Sequence, residues 1–202
     1  LNDGWSLGSH GSDNSCQDYQ NGPIIDSFER LEEIVADSNR SDYYVTSFSA
    51  PCFISDYHPV ILDLRDGNDV DVLFNESGND YLLNFDNAEY QKIGNYGLVP
   101  FTFDGQIGRG QSINSGDVGE TIATFDLISN HYKTSGERIW FNTLSHDGLV
   151  NVIDQSLSYL HSTYGPGGSD EVWVAPSDEI YSYQVIRLQG GLQLVGITQI
   201  GS

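Results

Sequence analysis

Three consecutive pieces between residues 117 and 164 decide how this chain is read: "DVGETIATFDLISNHY" (117–132), "RIWFNTLSH" (138–146) and "GLVNVIDQSLSYLHSTY" (148–164). In the first, Val118, Ile122, Phe125 and Ile128 recur at helical spacing. The second is apolar, β-branched and aromatic, the composition of a strand. The third returns to a helical pattern. A strand flanked by helices in this way predicts an α/β sheet or barrel with helices covering the strands.

The rest of the chain extends that alternation. "PIIDSFERLEEIVADS" (23–38) sets Ile24, Phe28, Leu31, Ile34 and Val35 on one helical face, with Pro23 at a tolerated first-turn position. "DYYVTSFSAP" (42–51) reads as a strand closed by Pro51, and "PVILDL" (59–64) and "DVDVLF" (69–74) as further strands. Near the end, "DEVWVAP" (170–176) reads as a strand, while "YSYQVIRLQ" (181–189) and "LQLVGITQI" (192–200) are expected to pair as a hairpin across Gly190 and Gly191. From Asp63 to Gly97 the chain is dense in Asp, Asn and Gly, which supply turns and oxygen ligands but little core, and 63–97 reads as an acidic, loop-rich insertion. Within it, Asp66, Asn68, Asp69 and Asp71 are candidate calcium ligands, although their spacing is not that of an EF-hand loop and a solvated turn is preferred.

With 202 residues the chain has the length of one domain spanning 1–202. Its 29 acidic against 8 basic side chains give a formal net charge of −21, a field that repels phosphate backbones and anionic lipid surfaces. Nucleic acid and membrane are therefore not expected partners; neutral polymers and cations are. No apolar run approaches the ~20 residues that cross a bilayer. The absence of methionine and the start at Leu1 are read as a processed or truncated chain. Two readings stand for Cys16 and Cys52: one disulfide, which suits a secreted or periplasmic setting, or two buried thiols.

Two nucleotide-binding chemistries have no motif here: there is no Walker A sequence and no G-x-G-x-x-G between strand and helix. The histidines are more informative. His10 follows "GWSLGS" and His146 follows "RIWFNTLS", so each falls just past an expected strand, where α/β folds gather their ligands. For either histidine taken singly, a polar residue satisfied in a loop is the competing reading.

Four segments resemble the polysaccharide deacetylases of the NodB-homology fold, in the order that family shows: "GWSLGSHGSDN" (4–14), "TSFSAPC" (46–52), "WFNTLSHDG" (140–148) and "DEVWVAPSDEIYSY" (170–183). The resemblance implies a distorted or incomplete (β/α) barrel that removes acetyl groups from carbohydrates or small esters with one divalent metal, zinc foremost. It makes His10 a metal ligand, the Cys52 backbone amide an oxyanion donor and His146 the general acid. Where the family has a second histidine ligand this chain has Asn14, beside Asp13, as weaker oxygen donors. The family's first segment, with its paired aspartates, has no counterpart in the residues before His10, and no arginine precedes the proline loop. An open barrel edge invites closure by a second copy of the chain. In this fold the Cys16 and Cys52 loops share a face, which implies a bridge between them. The alternative to an enzyme is a catalytically degenerate module that binds glycans through Trp5, Trp140 or Trp173, the last two being equally suited to a core.

Overall fold

A computed structural model describes residues 8–9, 21–37, 47–49, 73–102, 106–109, 111–112, 118–144 and 150–189. In chain order the elements are β1 (Gly8–Ser9), α1 (Asn21–Asp37), β2 (Ser47–Ser49), β3 (Leu73–Asn84), β4 (Gln91–Ile93), β5 (Tyr96–Pro100), β6 (Gln106–Arg109), β7 (Gln111–Ser112), α2 (Val118–Ser135), β8 (Ile139–Trp140), β9 (Thr143–Leu144), α3 (Val150–Thr163) and α4 (Ser177–Leu188). No described helix is long and apolar enough to cross a membrane.

Strand β3 organises the sheet. Its first half pairs in parallel with β2, Ser47 opposite Leu73, and with β6, Phe74 opposite Gln106. Its second half pairs in parallel with β5, Leu82 opposite Leu98, and antiparallel with β8, Leu83 opposite Trp140. The register against β6 slips between Glu76 and Asp80, where one set of neighbours gives way to the other. β1 pairs with β2, and β4 with β5, while β7 and β9 form a separate parallel pair.

Successive side chains of a strand point to opposite faces, so the run Tyr81-Leu82-Leu83 must bury both. Leu82 joins Ile93 and Leu98 in one core, against which Ile128 of α2 packs. Leu83 joins Trp140 and Tyr181 in another, with Ile180 and Val185 of α4 around it. The sheet is thus covered by α2 on one face and α4 on the other, which is why Leu82 and Leu83, pointing to opposite faces, are both buried. The stretch 63–97 differs here from its expected character. Its second half supplies Leu82, Leu83 and Ile93 to the core, because the Asp- and Asn-rich turns only punctuate two paired strands.

One of those turns is built by Asn84. Its Oδ1 accepts the backbone N–H groups of Asp86 and Asn87, at 2.9 and 3.0 Å, and ends β3 sharply. Asp86 is thereby presented to Arg138, which donates Nε to Oδ2 at 3.0 Å and Nη2 to Oδ1 at 2.7 Å, and to Arg187 of α4 at 3.2 Å. Arg187 Nη2 also donates to the Phe85 carbonyl at 2.7 Å, and Gln184 Nε2 to the same oxygen at 3.2 Å.

Two sequence expectations are corrected. Residues 171–176 are irregular rather than a strand, and 177–188 form a helix rather than half a hairpin. The Glu171 and Val172 amides both donate to the Tyr164 carbonyl, which ties this stretch to the end of α3 and away from any strand partner. Beyond it, Pro176 introduces the helix, Asp178 and Glu179 favour its first turn, and the alternating "YSYQVIR" becomes helical because Tyr181 and Gln184 are buried three residues apart. In α1, Phe28 and Val35 are buried as expected, but Ile34 is half exposed.

Candidate functional site

A cleft of about 870 Å³ opens among α2, α3, α4 and the irregular wall 171–176. Its position follows from packing. α2 and α3 lie against each other, the turn after α3 carries the chain back, and the wall then crosses to α4 on the other side of β8. That turn is the sequence "GPGGS" (165–169), stitched by bonds from the Gly168 amide to the Gly165 carbonyl and from the Gly167 amide to the His161 carbonyl. A Cβ on Gly168 would collide with the Thr163 carbonyl, a backbone atom that cannot swing aside. We expect Gly168→Ala to destabilise the protein by about 1–3 kcal/mol, the cost of forcing atoms into a packed site. A thermal melt unchanged from wild type would contradict this packing of the turn.

The floor of the cleft is apolar, with Phe125, Ile128, Trp140, Ile153 and Leu160 along it. Its rim carries aromatic rings that face solvent: Tyr132 is 41% exposed, Tyr183 46% and Trp173 49%. Trp173 and Tyr183 meet edge to face with centroids 5.2 Å apart. Of the tryptophans weighed in the sequence, Trp140 is core at 5% exposure, whereas Trp173 stands at the cleft mouth. The reason is the irregular wall, which lacks the strand partner that would have covered its side chains.

Polar groups are few and mostly engaged. Glu171 Oε2 accepts from the Ser129 hydroxyl at 3.1 Å, and its Oε1 lies 3.4 Å from Lys133 Nζ. Hydrogen bonding, from Ser169 first and then from Ser129 and Lys133, holds the Glu171 carboxyl below the usual range. Behind α3, Asp126 Oδ1 accepts from the Tyr159 and Tyr164 hydroxyls, at 2.8 and 2.6 Å. Burial first, then the Asp126 carboxylate, pushes the Tyr164 phenol well up, and the hydrogen bond to Asp126 does the same to Tyr159. Both phenols therefore stay protonated donors that clamp α3 to α2. On the far side of α2, His131 Nε2 lies 2.8 Å from Glu137 Oε2, and Asn87 Nδ2 donates to Glu137 Oε1 at 2.8 Å. His161 is exposed on α3.

The sequence candidates His10, Asp13, Asn14, Cys16, Cys52 and His146 lie outside the described residues, as do Trp5, Asp66, Asn68, Asp69 and Asp71. Among the described residues no group of three His, Cys, Asp or Glu side chains is placed to hold a metal ion. Sequence reading pointed to Trp140 and Trp173 but not to the polar residues that share their cleft. Ser129, Ser156 and Glu171 sit in ordinary helical or wall sequence, and only the approach of α2, α3 and the wall brings them together. No family model, no curated protein and no solved structure matches this chain.

Proposed function

We propose that this domain binds carbohydrate in the cleft among α2, α3 and α4, and that its ligands carry acyl groups. The exposed ring of Trp173 at the mouth of an apolar cleft carries the reading. A flat apolar ring beside Tyr183 offers a stacking face for a sugar, and the floor below offers room for an acyl methyl. A net charge of −21 disfavours anionic sugars and leaves neutral ones. Calorimetric titration with triacetylchitotriose and cellotriose tests it, with tighter binding expected for the acetylated sugar. Trp173→Ala is expected to weaken that binding about 10-fold, as the loss of one stacked aromatic implies. Absence of binding to both sugars would end the proposal.

A second reading, hydrolysis of the acetyl group, rests on the resemblance that assigns His10, Asp13 and Asn14 to a zinc ion, the Cys52 amide to an oxyanion and His146 to the general acid. Acetate release that is abolished by a chelator, restored by zinc and lost in His146→Ala would establish it. Release that persists in His146→Ala would remove His146 from the reaction.

A further inference from the structure

Ser156 lies on α3 among the residues that line the cleft, is 1% exposed, and its Oγ has no hydrogen-bond partner among the described residues. A helical serine ordinarily returns its hydroxyl to a carbonyl one turn back, but this one does not. A buried hydroxyl without a partner is costly to the folded state, so its presence in an otherwise apolar floor asks for a ligand group. We propose that Ser156 is the polar anchor of the cleft, donating its hydroxyl proton to an uncharged carbonyl on an apolar stem.

The neighbouring polar groups narrow the ligand. Glu171 already accepts from Ser129 and faces Lys133, Arg138 is held by Asp86, and Asn142 Oδ1 accepts from Ser177 at 3.4 Å. Ser156 is the polar group of the cleft that is both buried and without a partner among the described residues. An anionic acceptor would enter a cleft containing the Glu171 carboxylate on a strongly acidic protein, which leaves a neutral amide or ester carbonyl. The inference deepens the carbohydrate reading by naming what receives the acyl carbonyl, and its test separates the two.

The test compares wild type with Ser156→Ala on three measurements. The first is melting without ligand: removing an unpaired hydroxyl leaves the melting temperature unchanged or raises it. The second uses ligand-observed NMR with acetanilide and N-ethylaniline, two neutral aryl compounds that differ in the carbonyl. Wild type is expected to prefer acetanilide about 5-fold, the worth of one uncharged hydrogen bond, and Ser156→Ala to lose that preference. The third is triacetylchitotriose binding, expected to fall by a similar factor in the variant. A melting temperature that drops by several degrees would show a hydroxyl already satisfied by the fold, and would overturn the proposal. So would an acetanilide preference that is absent from wild type or survives in Ser156→Ala. Ser156-dependent acetanilide binding without any sugar binding would sustain the anchor and remove the carbohydrate reading. Trp173-dependent sugar binding that is indifferent to Ser156→Ala would do the reverse.

Discussion

Replacing Leu98 with alanine is expected to lower the unfolding free energy by about 2–5 kcal/mol, the range for deleting a fully buried leucine side chain. Leu98 is 0% exposed and sits on β5 between β3 and β4, opposite Leu82 on one side and Gln91 on the other. Leu82, at 1%, and Ile93, at 7%, share its cluster, with Tyr96, Ile128, Ile139 and Phe141 around them. A cavity there is bounded by paired strands on two sides, so the surroundings have little freedom to collapse into it. The natural comparison is Leu188→Ala, at a position 46% exposed, where the change should stay within about 0.5 kcal/mol. Urea unfolding of both variants measures the contrast. Equal midpoints would mean that β5 is not where the core is closed.

Asp86→Asn is expected to cost about 1 kcal/mol at neutral pH, because solvent screens this exposed ion pair and reduces what the shift alone would imply, and progressively less in acid. The Arg138 guanidinium, hydrogen-bonded to both carboxylate oxygens, is the main cause that lowers the Asp86 carboxyl from 3.8 to about 2, with the Arg138 backbone amide and the Arg187 charge adding to it. Partial burial opposes the shift without reversing it. A carboxyl held that far below its unfolded value stabilises the folded state above the unfolded pKa. The stabilisation fades as the pH falls from about 4 toward about 2, where the folded-state group also takes up its proton. The difference between wild type and Asp86→Asn, read from urea midpoints at pH 7, 4 and 2.5, should therefore shrink mainly over the last interval. Other titrating carboxyls act on both proteins and cancel in that difference. A gap that stayed constant down to pH 2.5 would mean that asparagine loses shape or packing rather than charge.

Fastening by Asp86 also bears on the site. Arg138 precedes β8 and Arg187 belongs to α4, so one carboxylate at the end of β3 holds together elements that bound the cleft. Acid that releases Asp86 is expected to loosen α4 and the Tyr183 ring it carries before the Leu82 and Leu98 core gives way.

The sequence by itself determined the helices α1, α2 and α3, because each has apolar residues at helical spacing and interactions within a few turns suffice to express that period. It also located strands at β2, at the start of β3 and around β8, where β-branched and aromatic residues cluster. The tertiary structure alone decided the fate of 171–188. "DEVWVAP" and "YSYQVIR" carry strand composition, yet the first is held by the Tyr164 carbonyl and the second is a helix whose buried Gln184 and half-buried Arg187 answer the Phe85 carbonyl about a hundred residues away. Such long-range hydrogen bonds leave no period in the local sequence. The same is true of the cleft. Trp173 was visible as a residue, but its exposure, and the orphaned hydroxyl of Ser156 in the same cleft lining, exist only because α2, α3 and α4 close around a wall that has no strand partner.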